Sequence, residues 1–347
     1  MESKVAVVIL NYNGKSFLEK LLPGVIAHSG KAAIYVADNG STDDSNDFLK
    51  THFPQVTIVS NPGNYGYAGG YNLALQHIKA KYYILVNSDI EVTPNWIEPL
   101  LSQMEKNPKL AACQPKLLDF NHRDRFEYAG ASGGFIDAYG YPFCRGRLFN
   151  SVEEDKGQYN QAAEIFWATG ACMMVRSEVF HQCGGFDSHY FAHMEEIDLC
   201  WRMKNIGYSI SVEPQSVVYH VGGGTLDKLS TQKTFLNFRN NLSTLTKNHH
   251  SRFLLPKLIY RMILDGIAAC KFFIEGQPAH FAAVIRAHFA YYRWIPRLLR
   301  ERKRMRQHPD FKDTKSGIYR GNVVMGYFLG GKKKFSDLPD HLFSKHE

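Results

Sequence analysis

YYILVNSDIEV, residues 82–92, is the stretch on which the fold turns. Tyr82–Val86 is an apolar run rich in strand-forming residues, and it breaks at Asn87-Ser88-Asp89. The same unit recurs upstream. Strands are expected at Val5–Leu10, Ala33–Ala37 and Val56–Ser60, with helices at Ser16–His28, Asp43–His52, Gly70–Lys79 and Trp96–Lys106. Strands alternating with helices of that length imply βαβ units and a parallel sheet covered on both faces. Such sheets bind ligands at the carboxyl ends of their strands. All four strands end in small or polar residues: Asn11-Tyr12-Asn13, Asp38-Asn39-Gly40, Asn61-Pro62-Gly63-Asn64 and Asn87-Ser88-Asp89. Four polar exits along one sheet edge predict a site there.

Each exit has chemistry of its own. In IYVADNGSTDDS (34–45), Asp38 at a strand end can accept hydrogen bonds from a nucleobase imide or a ribose hydroxyl, although Asp-Asn-Gly-Ser is also ordinary turn chemistry. NPGNYGYAGGYN (61–72) is a glycine-rich loop opening a helix, where backbone N–H groups can face phosphate or ribose oxygens. Asp89 can supply the carboxylate that a hard divalent cation needs beside a diphosphate, with Asn87 assisting. Downstream, residues 119–165 show no clear period and read as loops and short strands flanking the pocket. A helix is expected from about Met194 to Gly207, then strands around Ser209–Val212 and Val217–His220.

Taken in order, VAVVILNYNG, VADNGSTD, GNYGYAGGYN and LVNSDIEV resemble the family 2 glycosyltransferases, in the branch of the bacterial rhamnosyltransferases, over roughly residues 4–245. The resemblance implies the GT-A fold, an α/β architecture with a Rossmann-like, mostly parallel sheet and flanking helices, here followed by a C-terminal helical tail. It places a catalytic domain at residues 1–230, with a nucleotide-binding half at about 1–118 and an acceptor half at about 119–230, and a basic helical region at 231–347. It implies an inverting enzyme that uses Mg²⁺ or Mn²⁺ and a UDP- or dTDP-sugar donor. Asp38 would recognise the base, Asn11 and Tyr12 would line the nucleoside site with Asn64 and Gly66, and Asn87-Ser88-Asp89 would stand for the family's Asp-x-Asp motif. In Glu195-Glu196-Ile197-Asp198 the position of the catalytic base falls on Glu196, where relatives have Asp, so Glu195 and Asp198 stay candidates. Asp198 can instead pair with Arg202 one turn on. His220 before a run of glycines is expected beside the metal, Arg239 near the diphosphate, and Trp167 at the edge of the sugar–acceptor cavity.

The charge of +8 is unevenly placed: residues 293–306, RWIPRLLRERKRMR, carry seven Lys or Arg and one Glu. Lys257, Arg261, Asp265, Lys271 and Glu275 fall within roughly 120° of one helical face, and Arg286, Arg293, Arg297, Arg300 and Arg304 within roughly 60° of another. Such helices suit a membrane interface, or packing on the catalytic domain or on a second copy. Acidic strand exits repel a phosphate backbone, which argues against a nucleic-acid partner. A nucleotidyltransferase would carry a basic residue in its first phosphate loop, and Leu10–Gly14 has none. Six scattered cysteines without a CxxC pair fit a reducing compartment. With no signal-like leader, the expected location is the cytoplasm, at the inner face of the membrane, with a lipid-linked or cell-surface glycan as acceptor.

Overall fold

The first strand, β1 (Ser3–Asn11), is buried on both sides, and its alternation sorts it between two cores. Val5, Val7 and Ile9 join one apolar cluster, and Ala6 and Val8 join the other. In the computed structural model, which describes residues 3–222 and 230–344, β1 is an inner strand of a nine-stranded sheet. The first part of the chain continues with α1 (Lys15–His28), β2 (Ala33–Asp38), α2 (Ser45–His52), β3 (Thr57–Ser60), α3 (Gly66–Ala74) and β4 (Ala80–Asn87). Strands β3, β2, β1 and β4 lie side by side and parallel. The chain leaves β1 toward β2 and β3 and returns to the other side of β1 as β4. That reversal opens a crevice at the strands' carboxyl ends.

The next elements are β5 (Ile90–Val92), α4 (Ile97–Lys106), β6 (Leu110–Asp119), β7 (Gly134–Asp137), β8 (Pro142–Cys144), β9 (Arg147–Leu148), β10 (Ser151–Val152) and β11 (Ala163–Ile165). Then come β12 (Cys172–Arg176), α5 (Ser177–Gln182), α6 (Glu195–Asn205) and β13 (Ser209–His220). β12 runs antiparallel between β4 and β6, which makes the sheet mixed beyond its parallel half. The two strands expected at 209–212 and 217–220 are one strand, β13, with an irregularity between Glu213 and Val217. Helix α3 starts at Gly66 rather than Gly70, because Asn64 Oδ1 accepts the Gly66 amide at 2.9 Å and turns the chain early.

The last elements are α7 (Thr231–Asn248), α8 (Leu254–Ile274), α9 (Pro278–Arg306), β14 (Ile318–Tyr319) and α10 (Val323–Phe328). This region is stitched to the preceding domain. β14 extends the small second sheet beside β7, and Asp137 accepts the Val323 amide at 3.0 Å. The change in sequence pattern near residue 230 is therefore crossed by backbone pairing. The six cysteines are all free thiols.

Candidate active site

A cavity of about 410 Å³ opens where β1, β4 and β13 end. Tyr12, Asn39, Asn64, Gly66, Asn87, Asp89, Glu127, Glu195, Glu196 and His220 all line it. Residues from the two halves of the chain thus share one crevice. Asn39 organises its floor: its Nδ2 donates to Asn64 Oδ1 (3.1 Å) and the Gly66 carbonyl (2.9 Å), while its Oδ1 accepts from Asn61 Nδ2 (3.2 Å). Gly66 has φ +67°, and a Cβ there would lie 2.4 Å from the Phe191 carbonyl oxygen, so only glycine lets the two loops meet.

Register brings Asp89 and His220 together. β13 pairs with β5 so that His220 stands opposite Ile90, and the Val221 amide donates to the Asp89 carbonyl at 3.1 Å. His220 Nε2 then lies 3.2 Å from Asp89 Oδ1, and its Nδ1 lies 3.1 Å from Glu127 Oε1. Burial works against a charged imidazole, yet Glu127 and Asp89 outweigh it and raise His220 to about 10. Asp89 and His220 offer one oxygen and one nitrogen donor on the cleft wall. No cluster of three or more His, Cys, Asp or Glu forms a closed cage among the described residues. Two donors with adjacent Asn87 and Ser88 fit a hard cation that takes its other ligands from phosphate oxygens and water. Seating it on His220 Nε2 would displace the proton now shared with Asp89.

Across the cleft, α6 opens with Glu195 and Glu196. Glu195 Oε2 and Glu196 Oε2 are both buried without a hydrogen-bond partner. Burial, then the charge of Glu196, lifts Glu195 well above the usual carboxyl range. Burial also pushes Glu196 up, to about 7, against three backbone hydrogen bonds that lower it. The loop before the pair is strained, with φ +67° at Phe191 and His193 and +74° at Met194. Asn240 Nδ2 holds it through the carbonyls of Tyr190 (3.1 Å), Ala192 (2.9 Å) and His193 (2.8 Å). A carboxyl poised near neutrality and facing a cleft can take up a proton from a bound hydroxyl.

Several expected residues stand elsewhere. Asp38 and Asn11 lie behind the cavity wall: Asp38 accepts from Asn11 Nδ2 (3.3 Å), the Ser41 amide (3.2 Å) and Asn46 Nδ2 (3.0 Å). Trp167 does not border the cavity. Its indole N–H donates to the Phe135 carbonyl at 2.9 Å, and its ring packs so closely that a Cβ on Gly134 would sit 2.1 Å from it. Arg239 does not face the cleft either: it donates to the His189 and Tyr190 carbonyls and lies over the Trp294 ring at 4.2 Å. Asp198 is fully buried, with Arg202 Nε at 2.8 Å, Lys247 Nζ at 3.0 Å and Asn248 Nδ2 at 2.7 Å, and it does not line the cavity. The glycines 223 and 224 after His220 lie outside the described residues.

Glu127 and His193 also line the cavity, with little in the sequence to announce them. Glu127 sits in the aperiodic stretch before Gly130, and its one signal is an acid between two aromatics, Phe126 and Tyr128. His193 lines the cavity, and burial followed by the charge of Lys233 lowers it to about 4, so it is neutral.

A mixed sheet with a parallel first half, a strand-end carboxylate and an acid pair across the cleft is the GT-A architecture. The glycosyl transferase family 2 profile matches residues 6–184, and the chain belongs to that family. It is 26% identical over 245 residues to N-acetylglucosaminyl-diphospho-decaprenol L-rhamnosyltransferase of Mycobacterium tuberculosis, across 65% of this chain and 78% of that protein. Among solved structures it is similar to GalNAc-T7 with UDP, GalNAc and Mn²⁺ (TM-score 0.56, 16% identity), covering 71% of this chain and 48% of that one. It is also similar to the mannosyltransferase PcManGT of Pyrobaculum calidifontis with GDP-Man and Mn²⁺ (TM-score 0.51, 15% identity), covering 84% of this chain and 88% of that one.

Proposed function

We propose that the protein transfers a hexosyl or rhamnosyl group from a UDP- or dTDP-sugar to a hydroxyl of a lipid-linked or cell-surface glycan, in one displacement that inverts the anomeric centre. The observation that carries this reading is the pair of unpartnered carboxyl oxygens on Glu195 and Glu196 facing the same cavity as Asp89. Asn39, Asn64 and Gly66 form the floor on which the nucleoside rests, Tyr12 covers it, and Asn11 and Asp38 brace the turn behind it. The acceptor oxygen attacks the anomeric carbon as the bond to the diphosphate oxygen breaks, and Glu196 takes the acceptor proton. Glu195, whose burial favours its uncharged form, is placed to hydrogen-bond the same sugar–acceptor region. A Mg²⁺ or Mn²⁺ ion at Asp89 and His220 would offset the charge of the departing diphosphate, as the Mn²⁺ bound in both structural relatives suggests.

In this reading residues 1–230 carry the chemistry, and 231–347 hold the acid loop and bring the enzyme to the inner face of the cytoplasmic membrane. The decaprenol-linked substrate named for the mycobacterial relative supports such a setting. The test is turnover of a panel of nucleotide-sugars with and without Mn²⁺, by release of free nucleoside diphosphate. Pyrophosphate as product, or metal-independent turnover, overturns the reading.

A further inference from the structure

Helix α8 is inside out. The charged residues of its first three turns, which share one face by sequence, point into the protein: Arg261 and Asp265 are 2% and 3% exposed, while Lys271 and Glu275 at its C-terminal end are exposed and pair with each other at 2.9 Å. Lys257 Nζ donates to the Ala138 carbonyl at 2.6 Å, Arg261 to the Tyr139 carbonyl and Asn241 Oδ1 at 2.8 Å each, and His288 Nε2 lies 3.2 Å from Asp265. The opposite face is apolar and turned outward. Leu255, Ile259, Ile263, Ile267 and Ile274 are between 48% and 84% exposed, and between Phe253 and Cys270 no exposed residue is charged. A soluble surface does not gather large aliphatic side chains into one stripe; such a patch marks a binding face.

The face continues onto α9, which packs back along α8. Tyr292 Oη donates to Met262 Sδ at 3.4 Å at the seam, and beyond it Ile285 and Phe289 are exposed. Along its far side stand the exposed Arg286, Arg293, Arg300 and Arg304, roughly 60–100° around the helix from Ile285. No acidic residue of α9 is exposed, and Glu301 is engaged by Arg297 and Lys247. The surface is therefore an aliphatic stripe with a cationic edge.

Building on the membrane setting proposed above, we infer that the outward face of α8 and α9 docks on the surface of an anionic lipid bilayer, with the isoleucines in the acyl boundary and the arginines among the headgroups. The charge selects this occupant. A second copy laid on the same face would bring its own cationic edge and no exposed α9 acid to answer it, whereas anionic headgroups neutralise it. No helix among the described residues is long and apolar enough to cross a membrane, so the hairpin lies on the bilayer.

The test is flotation of the full chain with vesicles of phosphatidylcholine alone or mixed with phosphatidylglycerol. The wild type is expected to float with the mixed vesicles and to be released by salt. The Ile263→Glu/Ile267→Glu variant is expected to bind at least about a hundredfold less, because each isoleucine kept out of the interface forfeits its transfer free energy. Arg293→Glu/Arg300→Glu is expected to lose the preference for phosphatidylglycerol. Thermal melting and donor hydrolysis in solution are expected to be unchanged in both variants, so a failed flotation is separable from a failed glycosyltransferase reading. Equal flotation of wild type and the isoleucine variant overturns the proposal. So does a wild-type dimer in sedimentation that the isoleucine variant converts to monomer.

Discussion

Glu196→Gln tests the site through two readouts with opposite signs. Burial lifts this carboxyl from an ordinary 4.5 to about 7. That difference corresponds to about 3 kcal/mol by which the folded protein disfavours the charged form. Between those two values the folded chain holds a proton that the unfolded chain has released, so stability falls as pH rises through the interval and levels off above about 7. Gln carries no charge to bury. The variant is therefore expected to match the wild type near pH 5 and to exceed it near pH 8 by up to about 3 kcal/mol in urea unfolding. Turnover should move the other way, falling by about 10²–10⁴ when the proton acceptor is removed. For the wild type, kcat/KM should climb with pH to a plateau above about 7, as the carboxylate forms. Donor affinity should be nearly unchanged if the carboxyl serves the acceptor, as proposed. A variant no more stable than wild type near pH 8 would refute the burial argument, and one with wild-type turnover would refute the assignment of the base.

Asp89→Ala should weaken the nucleotide-sugar and abolish any Mn²⁺-dependent rise in melting temperature, measurable by thermal shift; an unchanged rise would place the cation elsewhere. Asp198→Ala should cost about 3–5 kcal/mol of stability, because it strips a buried partner from Arg202 and Lys247, while KM for the donor stays near wild type. A Michaelis constant that moves with stability preserved would return Asp198 to the site. Asn240→Ala leaves three loop carbonyls without their donor and should cost roughly 2–4 kcal/mol. Because that loop sets Glu196, kcat should fall more than KM rises; equal changes in both would argue against a positioning role.

The parallel half of the fold was legible because its inner strands, β1 and β4, are buried on both faces, and a continuous apolar run ending in a polar cluster has few other readings. Asp89 and His220 were legible for the same reason: strand ends converge on one edge, and the register that joins β13 to β5 completes the approach. What was not legible was direction. Trp167 follows a strand as a stacking platform would, yet Gly134 leaves room for the backbone to close on its ring, and the indole N–H finds a carbonyl inside. Arg239 has the charge to meet a diphosphate, but a strained loop offered it peptide carbonyls first. Helix α8 makes the argument most sharply. Its period groups Lys257, Arg261 and Asp265 on one face, and periodicity is silent on whether that face turns to water or to protein. The carbonyls of Ala138 and Tyr139, in the turn after β7, are polar groups that burial would otherwise leave unpaired. Satisfying them draws the lysine and arginine inward. Once the charges are committed there, helix geometry leaves the isoleucines no direction but out.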